Sequence, residues 1–349
     1  MKVLHLLASN SFSGAENVVC QIIQMTKNVK DLEMVYCSPN GNISDALKER
    51  DVKFVPLSKL SKKEVKRVIV SEKPDVVHAH DMHASFVASR ACKKTPLVSH
   101  IHNNAFDSRK ISVKSVAYLL AAKKAKAIIW VSKSAKDGYR FQKAIKDKSQ
   151  VIYNILDVDA LYQRLSLDNE DYDFDAIFLG RLTYPKNPQR LLGVFRLVAD
   201  ALPSAKFAVV GSGELDAEVK ELCSSMYLDK NVTFFGFKSN PLKILKNSKV
   251  MVMTSRWEGT PMCALEASAV GTPIVSTCVD GLKDIITNGE NGYMSDDDNQ
   301  LAKFITDIIL DQDKRFSMSK NMLDFSKQFN DTEKYTDKLI SIYNSAIGE

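Results

Sequence analysis

Short, almost uninterrupted apolar runs recur along the chain, and amphipathic stretches separate them. Val3–Ala8, Glu33–Cys37, Lys53–Pro56, Val76–Ala79, Leu97–Ile101, Ile128–Val131 and Val151–Tyr153 have the length and composition of strands. Segments of helical period such as Ala15–Met25 and Lys62–Ser71 lie between them. Strands that are apolar at nearly every position and alternate with helices predict a parallel sheet buried on both faces. The alternation breaks at the acidic stretch Leu167–Asp175, which has the composition of an interdomain connection. It restarts with Ala176–Leu179, Lys206–Val210, Val232–Phe235, Val250–Thr254 and Pro273–Ser276, and turns helical after Asp298, ending in a helix near Thr332–Ala346. The pattern predicts an α/β chain with two doubly wound, Rossmann-like domains, residues 1–165 and 166–330. Residues 331–349 form a terminal helix free to return to the N-terminal domain. Ligands of open α/β sheets collect beyond the carboxyl ends of the strands, so the site is expected in a central cleft faced by both domains.

Composition narrows the class. Of 349 residues, 45% are hydrophobic and 26% charged, which suits a folded soluble protein. No run of 18 apolar residues suggests a transmembrane helix. The N-terminal apolar run is only about six residues, which reads as a buried strand rather than a signal peptide and points to the cytoplasm. None of Cys20, Cys37, Cys92, Cys223, Cys263 and Cys278 forms a CxxC pair, so they read as reduced, buried thiols with no zinc site.

Charge is uneven. Residues 1–160 carry 27 Lys and Arg against 15 Asp and Glu, whereas the rest carries 21 against 27. The surplus includes the Lys-rich stretch 114–127. It reads either as a solvated surface or as a basic face for anionic lipid headgroups, with peripheral attachment at the cytoplasmic membrane face. Nucleic acid is not expected as a partner, because aromatic residues are not interleaved with the basic ones and no binding motif appears.

Three stretches carry chemistry. In "LGRLTYPKNP", Gly180, Arg181 and Lys186 follow a strand end and place two cations where they can meet phosphate oxygens. In "VVGSGELDAEV", Gly211 and Gly213 allow a ligand close to the backbone, with a helix expected to open at Glu214. Asp216 stands where the dinucleotide fingerprint needs its third glycine, which counts against a dehydrogenase. In "RWEGTPMCALE", Pro261 suits a first helical position, predicting a helix from Pro261 to about Val270. Glu258 then lies in the preceding loop and Glu266 inside the helix. Unpaired backbone N–H groups near Thr260–Cys263 and two carboxylates can bind a charged ligand and its hydroxyls.

"EGTPMCALE" resembles the E-x7-E element of the retaining glycosyltransferases of family four, which have the GT-B fold. "SGAE", "GRLTYPKNP", "VGSGE", "VTFFGF" and "ENGYM" resemble that family's other motifs in matching order, so the likeness spans essentially the whole chain. The resemblance implies that Arg181 and Lys186 bind the donor diphosphate and Glu266 holds the ribose hydroxyls. It implies that Glu258 contacts the donor sugar, helped by the backbone of Gly259, Thr260, Pro261, Met262 and Cys263. Phe237 and Lys238 would lie near the base, Gly14 near the phosphate or acceptor, and His102 beside the reacting sugar. Glu258, Arg181, Lys186 and His102 are thus the catalytic candidates. The HxH pair His78/His80, followed by His83, could suggest a metal, but no carboxylate or cysteine completes a set. His80 reads instead as an acceptor contact. Ser13 stands where many relatives have a first-loop glycine.

The implied activity is metal- and cofactor-independent transfer of a hexose, with retention, from a nucleotide diphosphate sugar (UDP- or GDP-linked) to an acceptor hydroxyl. The acceptor would be a glycan or lipid-linked glycan in polysaccharide biosynthesis. A noncatalytic nucleotide-sugar-binding subunit and a GT-B epimerase or phosphorylase are the alternatives.

Overall fold

The computed structural model describes residues 1–102 and 106–348. Contacts divide them into two units, residues 1–155 with 331–349 and residues 156–330. The first unit alternates strictly: β1 (Lys2–Leu6), α1 (Gly14–Met25), β2 (Glu33–Pro39), α2 (Ile43–Glu49), β3 (Phe54–Leu57), α3 (Lys62–Glu72), β4 (Val76–His80), α4 (Met82–Ala91), β5 (Leu97–Ile101), α5 (Val113–Lys124), β6 (Ala127–Trp130), α6 (Lys133–Gly138) and β7 (Ser149–Val151). Its seven strands are all parallel, in the order β3-β2-β1-β4-β5-β6-β7.

The second unit comprises α7 (Val158–Ser166), β8 (Phe174–Leu179), α8 (Pro188–Ala201), β9 (Phe207–Val210), α9 (Asp216–Ser225), β10 (Val232–Gly236), α10 (Leu242–Lys246), β11 (Ser248–Met253), α11 (Met262–Val270), β12 (Ile274–Ser276), α12 (Asp280–Lys283), β13 (Gly292–Met294), α13 (Asp298–Leu310) and α14 (Gln312–Ser326). Six parallel strands order as β10-β9-β8-β11-β12-β13. The last helix, α15 (Thr332–Ile347), packs on α1, β4 and β5 of the first unit.

Each sheet is covered on both faces, as its apolar strands require. Around Trp130, the first core collects Leu4, Val35, Val77 and Tyr118. The second stacks Phe195 on Phe207, with ring centroids 4.3 Å apart, beside Val209 and Val252.

The division departs from the boundary expected at residue 165. Helix α7 buries Leu161 and Leu165 and packs on α10, so the chain passes between units at Ile155/Leu156. The acidic stretch 167–175 is instead a connector inside the second unit, leading into β8. Among the cysteines, Cys20, Cys37 and Cys223 are buried free thiols, Cys92 and Cys263 are half-buried, and Cys278 is exposed, contrary to the expectation that all are buried.

Candidate functional site

In the second unit, the loops after β8, β9 and β11 converge at the carboxyl end of the sheet. The loop after β8 reaches Asn187, whose left-handed backbone (φ 54°) turns the chain into α8. That loop is tied to the one after β11. Thr254 Oγ1 donates to the Asn187 carbonyl at 3.1 Å, and the Arg256 amide donates to the Pro185 carbonyl at 2.8 Å. The Arg256 guanidinium donates to Asn187 Oδ1 at 2.8 Å and covers the Tyr184 ring at 4.4 Å.

This frame brings Lys186 to Glu258. Lys186 Nζ lies 2.5 Å from Glu258 Oε1, and Ser255 Oγ donates to the same oxygen at 2.5 Å. The side chains are 20% and 9% exposed, so the pair is largely desolvated. Burial acts to lower the Lys186 ammonium, yet the Glu258 carboxylate more than offsets it, and the pKa stands above the usual lysine value. Burial likewise pushes the Cys263 thiol up to about 12, keeping it protonated. Arg181 is exposed, and among the described residues no carboxylate pairs with it. A cation near Lys186 is thereby left available to an anion.

Helix α11 begins at Met262, with Pro261 as its extended flanking residue rather than its first helical one. No side chain caps it, and among the described residues the amides of Met262 and Cys263 have no acceptor. These are the orphan donors of a helix start, with the positive end of its dipole. Glu266 is buried one turn farther in. The loops around it demand glycine. A Cβ on Gly211 (φ 132°) would lie 2.0 Å from the Gly180 carbonyl oxygen, and one on Gly213 would lie 2.2 Å from that of Leu182. Helix α9 opens at Asp216, two residues later than expected.

One further glycine escaped the sequence reading. A Cβ on Gly281 would lie 1.5 Å from the Gly259 oxygen, so α12 presses directly on the loop that carries Glu258. Phe237 and Lys238 are exposed just past β10, after the left-handed Gly236 (φ 63°).

In the first unit, Gly14 opens α1, and a Cβ there would meet nothing within 4 Å, so the fold does not itself demand glycine. The Ser13 hydroxyl donates to the buried Glu16 carboxylate. His83 is exposed on α4. His78, His80 and His102 belong instead to a row that also includes His5 and His100, which the sequence reading did not single out. Parallel pairing sets His5 beside His78 and His80 beside His100. Neighbouring rings in the row lie 4.2–5.3 Å apart between centroids.

Burial holds all five below the ordinary histidine range, His5 and His102 at about 3, so they are neutral. Asp81, next to His80, adopts a strained backbone (φ 86°), and burial pushes its carboxyl up to about 7.

Residues 13–160 match the family model described as Glycosyltransferase Family 4, and residues 163–324 match Glycosyl transferases group 1. An uncharacterized glycosyltransferase of Methanocaldococcus jannaschii is 30% identical over 243 residues, covering 63% of this chain and 60% of that protein. The chain thus spans about three fifths of the length of the first curated relatives it matches. A UDP-Gal:alpha-D-GlcNAc-diphosphoundecaprenol alpha-1,3-galactosyltransferase of Escherichia coli is 26% identical over 385 residues, covering 98% of this chain and 96% of that one. Anabaena HepE, solved in complex with UDP-glucose, matches with a TM-score of 0.84 at 21% identity, over 99% of this chain and 100% of that chain, a likeness of fold. Two parallel-sheet units, each matched by one of the two glycosyltransferase family models, make up a GT-B fold.

Proposed function

We propose that the protein transfers a hexose from a nucleoside diphosphate sugar to an acceptor hydroxyl with retention of anomeric configuration. The observation that carries this reading is the grouping of Lys186, Arg181 and the uncapped start of α11 at one end of the second sheet, with Glu258 and Glu266 beside them. Cleavage of the bond between the anomeric carbon and the diphosphate oxygen leaves that diphosphate more negative. Two cations and two free amides stabilise the developing charge.

Glu266 takes the ribose hydroxyls, and Glu258, steadied by Lys186 and Ser255, faces the donor sugar. The acceptor oxygen bonds to the anomeric carbon on the face the diphosphate leaves, and its proton passes to the departing phosphate oxygen. That route needs no enzymic nucleophile. Isolation of a covalent glycosyl-enzyme would overturn it.

The donor is expected to be UDP- or GDP-linked. A thermal-shift panel of UDP, GDP, ADP and their glucose conjugates tests the class. One family of nucleotides at about 100 times its Kd should stabilise the protein by about 2.7 kcal/mol, and Arg181→Ala and Glu266→Ala should abolish the shift. Stabilisation by none of the panel would overturn the reading.

A lipid-linked acceptor at an anionic membrane suits the first unit. Along α5 and its approach, Ile111, Val113, Val116 and Leu120 are 67%, 88%, 40% and 56% exposed. Val113, Val116 and Leu120 share one helical face, and Lys110, Lys114, Lys123 and Lys124 flank it. No helix among the described residues is long and apolar enough to cross a membrane. Sedimentation with phosphatidylcholine vesicles should rise steeply with phosphatidylglycerol content, fall with salt, and drop in Val113→Asp/Leu120→Asp. Binding that ignores anionic lipid would sink the membrane reading.

A further inference from the structure

The buried histidines of the first unit are joined through their ring nitrogens, and the chain they form has a direction. His5 Nε2 lies 3.3 Å from Met34 Sδ, His5 Nδ1 lies 2.9 Å from His80 Nε2, and His80 Nδ1 lies 2.8 Å from His102 Nε2. His102 Nδ1 is buried and has no partner among the described residues. A neutral imidazole carries one N–H, and a thioether sulfur can only accept. The contact to Met34 is therefore favourable only when His5 carries its proton on Nε2.

His5 Nδ1 is then an acceptor, so His80 must donate from Nε2. His80 Nδ1 is in turn an acceptor, so His102 donates from Nε2. Each step leaves the next ring no choice. The reversed chain would set a lone pair of His5 against the sulfur.

The same nitrogens fall into two triads with metal-like grouping, His5/His78/His80 and His80/His100/His102. Two ligands on one tetrahedral ion with bonds of about 2.0–2.1 Å sit roughly 3.3 Å apart. The 2.8 and 2.9 Å separations instead belong to hydrogen bonds, and both triads need His80, whose two nitrogens are already engaged.

We infer that Met34, His5 and His80 are positioning residues that fix His102 as its Nε2–H tautomer, leaving the His102 Nδ1 lone pair as a preset acceptor for a sugar hydroxyl. The assignment to a sugar hydroxyl rests on the transferase reading; the tautomer does not. Without a set direction, His102 Nδ1 would carry a proton in part of the population and would repel a donated hydroxyl hydrogen. The relay removes that heterogeneity before substrate arrives.

The test is a long-range proton–nitrogen correlation spectrum of ¹⁵N-histidine-labelled protein at pH 8, assigned by single substitutions. His5, His80 and His102 should each show a protonated Nε2 and a bare Nδ1. A protonated Nδ1 on His102 overturns the inference. Met34→Leu keeps the volume and removes the acceptor, so His102 should become a mixture of tautomers. An unchanged spectrum would remove Met34 from the relay. Adding UDP-glucose should shift the His102 Nδ1 resonance toward that of a hydrogen-bonded nitrogen. If UDP-glucose stabilises the protein and Nδ1 does not move, the hydroxyl contact is wrong. If no nucleotide sugar stabilises the protein, the transferase reading fails while the tautomer result stands.

Discussion

Lowering the pH from 7.5 to 5.5 is expected to destabilise the first unit by several kcal/mol and to leave the second nearly unchanged. His5, His78, His80 and His100 are 0–1% exposed, and burial holds each below the ordinary value near 6.5. Each is neutral in the folded protein and protonates near 6.5 in the unfolded chain. The unfolded state then binds more protons below pH 6.5, so stability is complete above that pH and lost as pH falls toward the folded value, about 3 for His5. At pH 5.5 each group contributes a loss on the order of 1 kcal/mol. Four such losses outweigh the opposite contribution of Asp81, whose carboxyl, pushed up to about 7 in the fold, takes up a proton over the same range and offsets part of them. The net is a sizeable share of an ordinary domain's stability of about 5–15 kcal/mol.

The chain supplies its own control, because all six histidines lie at or before His102 and none is in the second unit. It also has one tryptophan per unit, Trp130 and Trp257. Urea unfolding at both pH values, followed by Trp130 in a Trp257→Phe background, should show the midpoint collapse. The Trp257 signal in a Trp130→Phe background should hold. Equal loss at both, or none at Trp130, would refute the account.

Replacement of Lys186 by alanine should lower kcat by about 10²–10³, the loss typical of removing one preorganised donor from a developing anion, equivalent to about 2.7–4 kcal/mol. The ammonium is held charged by Glu258 at 2.5 Å, so on the proposed transferase reading it would meet the departing diphosphate without any prior proton transfer. Alanine also leaves the buried Glu258 carboxylate with Ser255 alone, and some loss of stability follows. Lys186→Arg separates the effects. It retains the charge, should recover most of the stability, and should restore activity only in part, because a planar fork does not reproduce a compact ammonium. Single-turnover rates with the nucleotide sugar that stabilises the protein are the measurement. A fall of less than about five-fold in Lys186→Ala would take the residue out of the charge-bearing role assigned from donor-removal magnitudes.

What could be seen in the sequence was whatever depends on neighbours along the chain. Strands buried on both faces announce themselves as apolar runs, and Arg181, Lys186, Glu258 and Glu266 stand out through spacing relative to a strand end and a helix start. Three-residue β13 has too little length to show a pattern. The crossing at Ile155 was displaced because the acidic stretch looked like a linker, while Leu161 and Leu165 of α7, ahead of it, decide the matter by packing.

The histidine row was the largest omission. His5, His80 and His102 become neighbours only through the order β1-β4-β5 and its register, and no local rule supplies either. The pressing of Gly281 on Gly259 is non-local in the same way.

The return of α15 to the first unit bears on how the chain is made. Tyr343 closes against His78, its hydroxyl 2.8 Å from Nδ1, and α15 seals the face of β4 and β5. Residues 331–349 leave the ribosome only after every residue of the second unit has been synthesised. A nascent chain stopped short of Asp331 therefore holds a complete second unit and a first unit whose histidine-bearing face still lacks its cover. Of the two units, the one whose strands are synthesised earlier is the one completed later, when residues 331–349 become available to it.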